Sequence, residues 1–181
     1  MAQNSFTQYC RQEAETITLA QKLALTIGHL FQVNPSIHLN IALAGDLGAG
    51  KTTFARHLIQ GLGFEGRVKS PTYTLCEPYP ILISKMQVGE KDVSNNITIY
   101  HFDLYRMRDP LEWQEAGFAE YFDGPGFCLV EWPEKAEDTL PPFDMEIHLV
   151  ADAEENERKI TLTANSDQGA ILLEKAHLQT S

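Results

Sequence analysis

Residues 45–54 read GDLGAGKTTF, and the reading of this stretch decides the fold. A glycine, four residues, then Gly50-Lys51-Thr52 is the pattern G-x-x-x-x-G-K-[ST], whose backbone N–H groups cradle the phosphates of a nucleotide. The run before it, HLNIALAGD (38–46), is short, mostly apolar and ends in glycine, as a buried parallel strand does. The run after it predicts a helix over about Lys51 to Leu62, closed by Gly61 and Gly63. Strand, glycine-rich loop and helix together form the context that the phosphate pattern requires.

The roles within the loop follow from its geometry. Asp46, Leu47, Gly48, Ala49, Gly50, Lys51, Thr52 and Thr53 form the expected nucleotide-binding set. Backbone N–H groups from Leu47 to Thr52 point inward, and the helix presents its positive end to the anion. Lys51 is expected on the β and γ phosphates, and the Thr52 hydroxyl on Mg²⁺. That ion keeps several waters but takes a further protein carboxylate.

Two acids stand where such a carboxylate is needed. Glu131 ends the apolar run Phe127–Val130, and Asp103 ends the strand ITIYHF (97–102). In a parallel sheet the C-terminal ends of the strands open onto the ligand crevice. The plainer reading of each is a surface acid at a strand terminus, or a helix cap. His101 and Asp103 offer two ligands to a different metal, but no third or fourth ligand lies nearby in the sequence. Ser70, Thr72 and Thr74, in SPTYTL (70–75), sit where nucleotide switches place a loop ordered by the γ-phosphate; a polar turn into a strand is the alternative. Trp132 either lids the site or packs. Arg106 and Arg108 either pair with local acids or face a partner.

Further out, apolar residues at 17, 20, 23, 24, 27, 30 and 31 predict a helix from Glu13 to Phe31, ended by Asn34-Pro35. A loop and short strand follow around VKSPTYTLCEPYP (68–80), with Pro71 holding Ser70 out of helix. Residues 84–96 are polar and turn-rich, a solvated excursion. DPLEWQEAGFAEYF (109–122) reads as a helix with Asp109 as N-cap and Pro110 at its first position. FDMEIHLVAD (143–152) and ERKITLTAN (157–165) alternate as strands, and DQGAILLEKAHL (167–178) reads as a terminal helix. The count favours one α/β domain over residues 1–181, with mixed strands and flanking helices.

Composition narrows the function. Of 181 residues, 43% are hydrophobic and 22% charged, ordinary for a soluble globular protein. No secretory signal or membrane-length apolar run is visible, so the expected setting is the cytoplasm. Three cysteines and six histidines lie scattered, without disulfide or zinc spacing. Fourteen basic against 25 acidic residues leave a net charge of −11, which argues against tight direct binding of tRNA or DNA. A protein partner with a basic face suits this charge better. The guanine-reading pattern [NT]-K-x-D is absent, so GTP specificity has no support. No Arg-rich lid of a small-molecule kinase is seen either.

Taken in order, GDLGAGKTTF, VKSPTYTL, YHFDLYR and LVEWPE resemble the TsaE family, also called YjeE, over most of the chain. The resemblance implies a P-loop ATPase needed for threonylcarbamoylation of the adenosine beside the anticodon of tRNAs reading codons that begin with A. It implies ATP and Mg²⁺ as ligands and the TsaD and TsaB proteins as partners. In that scheme TsaC makes the activated intermediate and TsaD–TsaB hold the transfer chemistry. ATP binding docks the ATPase on that dimer and hydrolysis resets it. The family's catalytic and metal positions map onto Thr52, Asp103 and Glu131, with Lys51 on the phosphates and adenine-side contacts near Glu13 and Thr16. Two departures stand out: a longer segment between Tyr79 and Tyr100, and NERKI (156–160) where the family often shows Gly-Arg. Arg158 is the candidate equivalent. A phosphoryl-transferring kinase, with Asp103 as the base, and a nucleotide-dependent binding module remain the alternatives.

Overall fold

One sheet organises the computed structural model, which describes residues 4–71, 73–84 and 94–178. Its strands, in chain order, are β1 Ser5–Cys10, β2 His38–Ala44, β3 Cys76–Ser84, β4 Ser94–Asp103, β5 Gly126–Glu131, β6 Met145–Ala151 and β7 Arg158–Ala164. They lie side by side as β1-β7-β6-β2-β5-β4-β3. The inner four, β6, β2, β5 and β4, run parallel. Antiparallel pairs close both flanks: β6 with β7, β7 with β1, and β4 with β3. The expected α/β architecture of mixed strands is therefore present.

The central strands are apolar because both faces are covered; every residue of β5 is buried. On one face lie α1 (Glu13–Val33), α2 (Lys51–Gly61) and α4 (Asp167–Leu178). Leu19, Leu23, Ile27 and Phe31 of α1 and Phe54, Leu58 and Ile59 of α2 join a single apolar layer with the sheet. Full burial of a side chain such as Phe31 stabilises by about 2 kcal/mol. Helix α1 begins where the Glu15 carboxylate accepts the Gln12 backbone N–H at 3.0 Å, the reciprocal arm of a capping box. On the opposite face Phe102, Leu104, Trp113, Phe122, Cys128, Val130 and Ala136 form a second cluster. It is roofed by a short α3 (Glu112–Glu115) and by 3₁₀ turns at Ala119–Phe122 and Pro133–Thr139.

Two expectations need correction, and one strand was not foreseen. The helix expected from Asp109 is cut short, because Gly117 takes φ +83° and separates α3 from the 3₁₀ turn. Leu111 is the N-cap, and Asp109 accepts the Leu111 N–H at 2.8 Å in a preceding turn. Residues 84 and 94–96, expected within a turn-rich excursion, instead belong to the β3–β4 ladder, in which Ser84 pairs with Ser94. Residues 85–93 lie outside the described residues. Helix α2 ends at Gly61 and Gly63 follows with φ +107°, as expected, and Gly61 also sits in the helix packing, where a Cβ would lie 2.8 Å from the Ala24 Cβ. Finally, β1 had no counterpart in the sequence reading. Its six residues pair with β7 from more than 140 positions away, a contact that local pattern does not announce.

Candidate functional site

The phosphate loop joins β2 to α2 and needs three left-handed backbones, at Gly45 (φ +148°), Gly48 (φ +80°) and Gly50 (φ +97°). At Gly45 a Cβ would lie 2.4 Å from the Leu149 carbonyl oxygen, so β6 admits only glycine there. Lys51 opens α2 with only 5% of its surface exposed. Its Nζ donates to the carbonyls of Gly45 and Asp46, the latter at 2.9 Å, and lies 4.0 Å from the Trp132 ring centroid. Burial lowers the Lys51 pKa, while Glu131 first, then Glu134, Asp103 and Asp46, oppose that shift.

Thr52 and Glu131 meet directly. The Thr52 hydroxyl donates to Glu131 Oε1 at 2.9 Å. Glu131, 1% exposed, ends β5 beside β2, paired in register with Leu43 on one side and Asp103 on the other. Asp103 ends β4 and accepts the Ser70 hydroxyl at 2.9 Å and the Tyr105 backbone N–H at 3.1 Å. These residues open onto a cleft of about 450 Å³, lined by Leu47, Gly48, Gly50–Thr53, Ser70, Asp103, Tyr105, Glu131, Trp132 and Arg158. Two hard oxygen donors and a ring of loop amides suit Mg²⁺ and phosphate oxygens.

The placement of the remaining candidates varies. Glu13 and Thr16 line an adjoining recess of about 100 Å³ with Ala49, Gly50, Thr53, Asn156 and Arg158; Thr16 is buried and Glu13 exposed. Asp46 is exposed, and its backbone carbonyl is what serves the loop. Of the three switch-like hydroxyls, Ser70 reaches the cleft. Thr74 faces a separate groove with Arg67, Lys69 and Tyr73, and Thr72 lies outside the described residues. Trp132 lines the cleft and packs 4.9 Å from the Tyr105 ring. Arg106 stacks over Tyr73 at 4.9 Å.

Two residues hold places at the site that the sequence reading did not specify, although Arg158 was named as the candidate equivalent of a family arginine. His101 Nε2 lies 2.6 Å from Glu131 Oε2, and the ring is fully buried. It was weighed only as a metal ligand; a histidine within an apolar and aromatic strand was the available signal. Arg158, the first residue of β7, reaches the outside of the loop. Its Nε donates to the Ala49 carbonyl at 2.9 Å and Nη2 to that of Gly48 at 3.5 Å. Its Nη1 donates to the carbonyls of Glu155 and Glu157 at 2.7 and 2.8 Å. One guanidinium thus ties the phosphate loop to the β6–β7 turn.

Residues 10–160 match the family model described as threonylcarbamoyl adenosine biosynthesis protein TsaE. The chain belongs to the TsaE family. A TsaE relative from Haemophilus influenzae, a tRNA threonylcarbamoyladenosine biosynthesis protein, is 39% identical over 169 residues, 93% of this chain and 96% of that protein. The TsaE protein of Bacillus subtilis is 38% identical over 135 residues, 75% of each chain. Among solved structures, Bacillus subtilis YdiB superposes with a TM-score of 0.69 at 28% identity, covering 98% of this chain and 97% of that one. Membership places this TsaE chain in a family of tRNA threonylcarbamoyladenosine biosynthesis. Among the described residues no helix is long and apolar enough to cross a membrane.

Proposed function

We propose that this TsaE-family chain is a Mg²⁺-dependent ATP hydrolase of tRNA threonylcarbamoyladenosine formation. It acts by binding and hydrolysing ATP on a TsaD–TsaB complex and transfers no group itself. The observation that carries this reading is the 2.9 Å contact of the Thr52 hydroxyl with Glu131, at the mouth of a loop with three left-handed glycines.

In this reading the loop amides and Lys51 hold the β and γ phosphates, and Thr52 with Glu131 holds Mg²⁺. When bound, the ion would supply positive charge to offset that of the phosphates. Lys51, buried among four acids, contributes a second positive charge at the same place. Asp103 either orients the attacking water or supports the metal, and its bond from Ser70 ties it to the loop that would sense the γ-phosphate. Glu13 and Thr16 flank the adenine side, next to the loop. The net charge of −11 favours protein partners over direct tRNA binding, in the cytoplasm where such tRNA modification takes place.

The test is release of inorganic phosphate from γ-labelled ATP with and without Mg²⁺, alone and with TsaD and TsaB. Slow turnover alone and a rise with the partners are expected, because a partner commonly completes such a site. No change over a wide range of partner concentration removes the partner part of the reading. Label appearing on an acceptor would make the chain a kinase instead.

A further inference from the structure

The His101 ring makes one polar contact among the described residues. Its Nε2 meets Glu131 Oε2 at 2.6 Å, and Nδ1 has no hydrogen-bond partner there. A carboxylate serving as a metal ligand only accepts, so in that role Glu131 would take the hydrogen of this bond from Nε2. The other carboxylate oxygen, Oε1, takes the Thr52 hydroxyl. Glu131 is therefore held on one side by β4 and on the other by the first turn of α2.

We propose that His101 is a positioning residue of the Mg²⁺ site. By keeping Oε2 inside the core it leaves Glu131 a single oxygen, Oε1, to share an ion with Thr52. The carboxylate would then offer a metal one oxygen, Oε1, in one orientation. This inference rests on the Mg²⁺-ATP reading above.

Stability alone does not call for a histidine here. His101 is 0% and Glu131 1% exposed, and desolvation of such a pair offsets much of its attraction. Phe102, next in the chain, and Leu129, its partner in register, are fully or almost fully buried apolar residues, the ordinary occupants of such a layer. What the imidazole adds is restraint: without it the Glu131 carboxylate is free to turn about its last torsion, which has a broad, roughly two-fold profile. Partners of this kind behind metal ligands are typically worth about 10- to 100-fold in metal affinity.

The experiment titrates ATP by calorimetry into the full chain, in chelator and at a series of Mg²⁺ concentrations, for wild type, His101→Leu and His101→Gln. Glutamine reaches the Nε2 position through the same number of bonds and keeps an N–H there. The expected result for His101→Leu is unchanged affinity in chelator, with the Mg²⁺ concentration for half-maximal effect raised at least about tenfold. His101→Gln should recover most of that loss.

An unchanged Mg²⁺ dependence in His101→Leu, beside a normal wild type, overturns this inference alone, as does a folded His101→Gln that fails to recover. A wild type whose ATP binding ignores Mg²⁺ overturns the underlying reading as well. Because the leucine variant could fail to fold, ¹⁵N spectra of the wild-type imidazoles without metal provide an independent arm. His101 should carry its hydrogen on Nε2, with a resonance that moves in Glu131→Ala. An Nε2 without hydrogen, or one indifferent to Glu131, overturns the proposal.

Discussion

The Thr52 hydroxyl donates to Glu131 Oε1 across 2.9 Å, joining the first turn of α2 to the last residue of β5. Both side chains change roles if an ion enters, since Mg²⁺ accepts oxygen from either. Thr52→Val and Glu131→Gln should therefore cost Mg²⁺-dependent turnover more than chelator-resistant nucleotide binding. A loss of more than the roughly 10- to 100-fold expected from an outer partner alone is predicted for each. Steady-state kcat beside metal-free ATP affinity checks this, and an equal loss of both would assign the pair to the fold.

Asp103 has both oxygens engaged, by Ser70 and by the Tyr105 backbone. If it orients the attacking water, Asp103→Asn should lower kcat on the order of 10²-fold or more while ATP affinity holds. Ser70→Ala removes one hydrogen bond to a charged acceptor, and a smaller loss of about tenfold follows. Single-turnover rates of phosphate release separate these effects from product release.

Arg158 spends its donors on four backbone carbonyls, two in the phosphate loop and two in the β6–β7 turn. Lysine cannot reproduce that fork. Arg158→Lys should destabilise by on the order of 1–2 kcal/mol and raise hydrogen exchange at the amides of residues 46–50. Exchange mass spectrometry reads both ends of the tie; protection unchanged in the loop would show that the guanidinium is not what holds it.

Two glycines of the loop should respond differently to alanine. At Gly45 an added Cβ would lie 2.4 Å from a backbone oxygen at φ +148°, whereas at Gly48 nothing lies within 4 Å. Gly45→Ala should cost about 3 kcal/mol, from overpacking and strain together. Gly48→Ala should cost only the left-handed backbone penalty of about 1–2 kcal/mol. Denaturant unfolding of the two variants measures the difference.

The three cysteines are buried and free. Burial raises the thiol pKa of Cys10 and Cys128, and pushes that of Cys76 up to about 12. The folded chain should resist alkylation at pH 8, and denaturant should expose three reactive thiols. The sign of the linked stability follows. Below pH 9 both states keep the Cys76 proton. From about pH 9 toward 12 the unfolded chain releases it and the folded chain does not, so stability falls as pH rises. Mass spectrometry after iodoacetamide and unfolding curves across that window test the two parts.

Much of this was legible in the chain before any coordinates. The loop pattern is legible because its backbone N–H groups, one lysine and one hydroxyl recur at a fixed local spacing. The helical period of residues 13–31 and the apolar runs of β2 and β5 reflect burial that any neighbour would require. Gly117 was read as part of a helix because a single glycine is tolerated in one; its left-handed backbone is a tertiary outcome. Likewise β1 is held by a strand more than 140 positions away.

The sequence by itself determined that the chain carries the phosphate-loop pattern between an apolar run and a helical one, and that an acid follows each of two strand-like runs. Local spacing encodes both. Only the tertiary structure decided which groups surround those acids. Parallel pairing of β4 with β5 puts His101 behind Glu131, the loop before β3 lays Ser70 against Asp103, and the antiparallel turn back through β7 brings Arg158 onto the phosphate loop. These partners lie 30 to 110 positions apart, and closing such long segments is the work of the whole sheet, which no short stretch of sequence records.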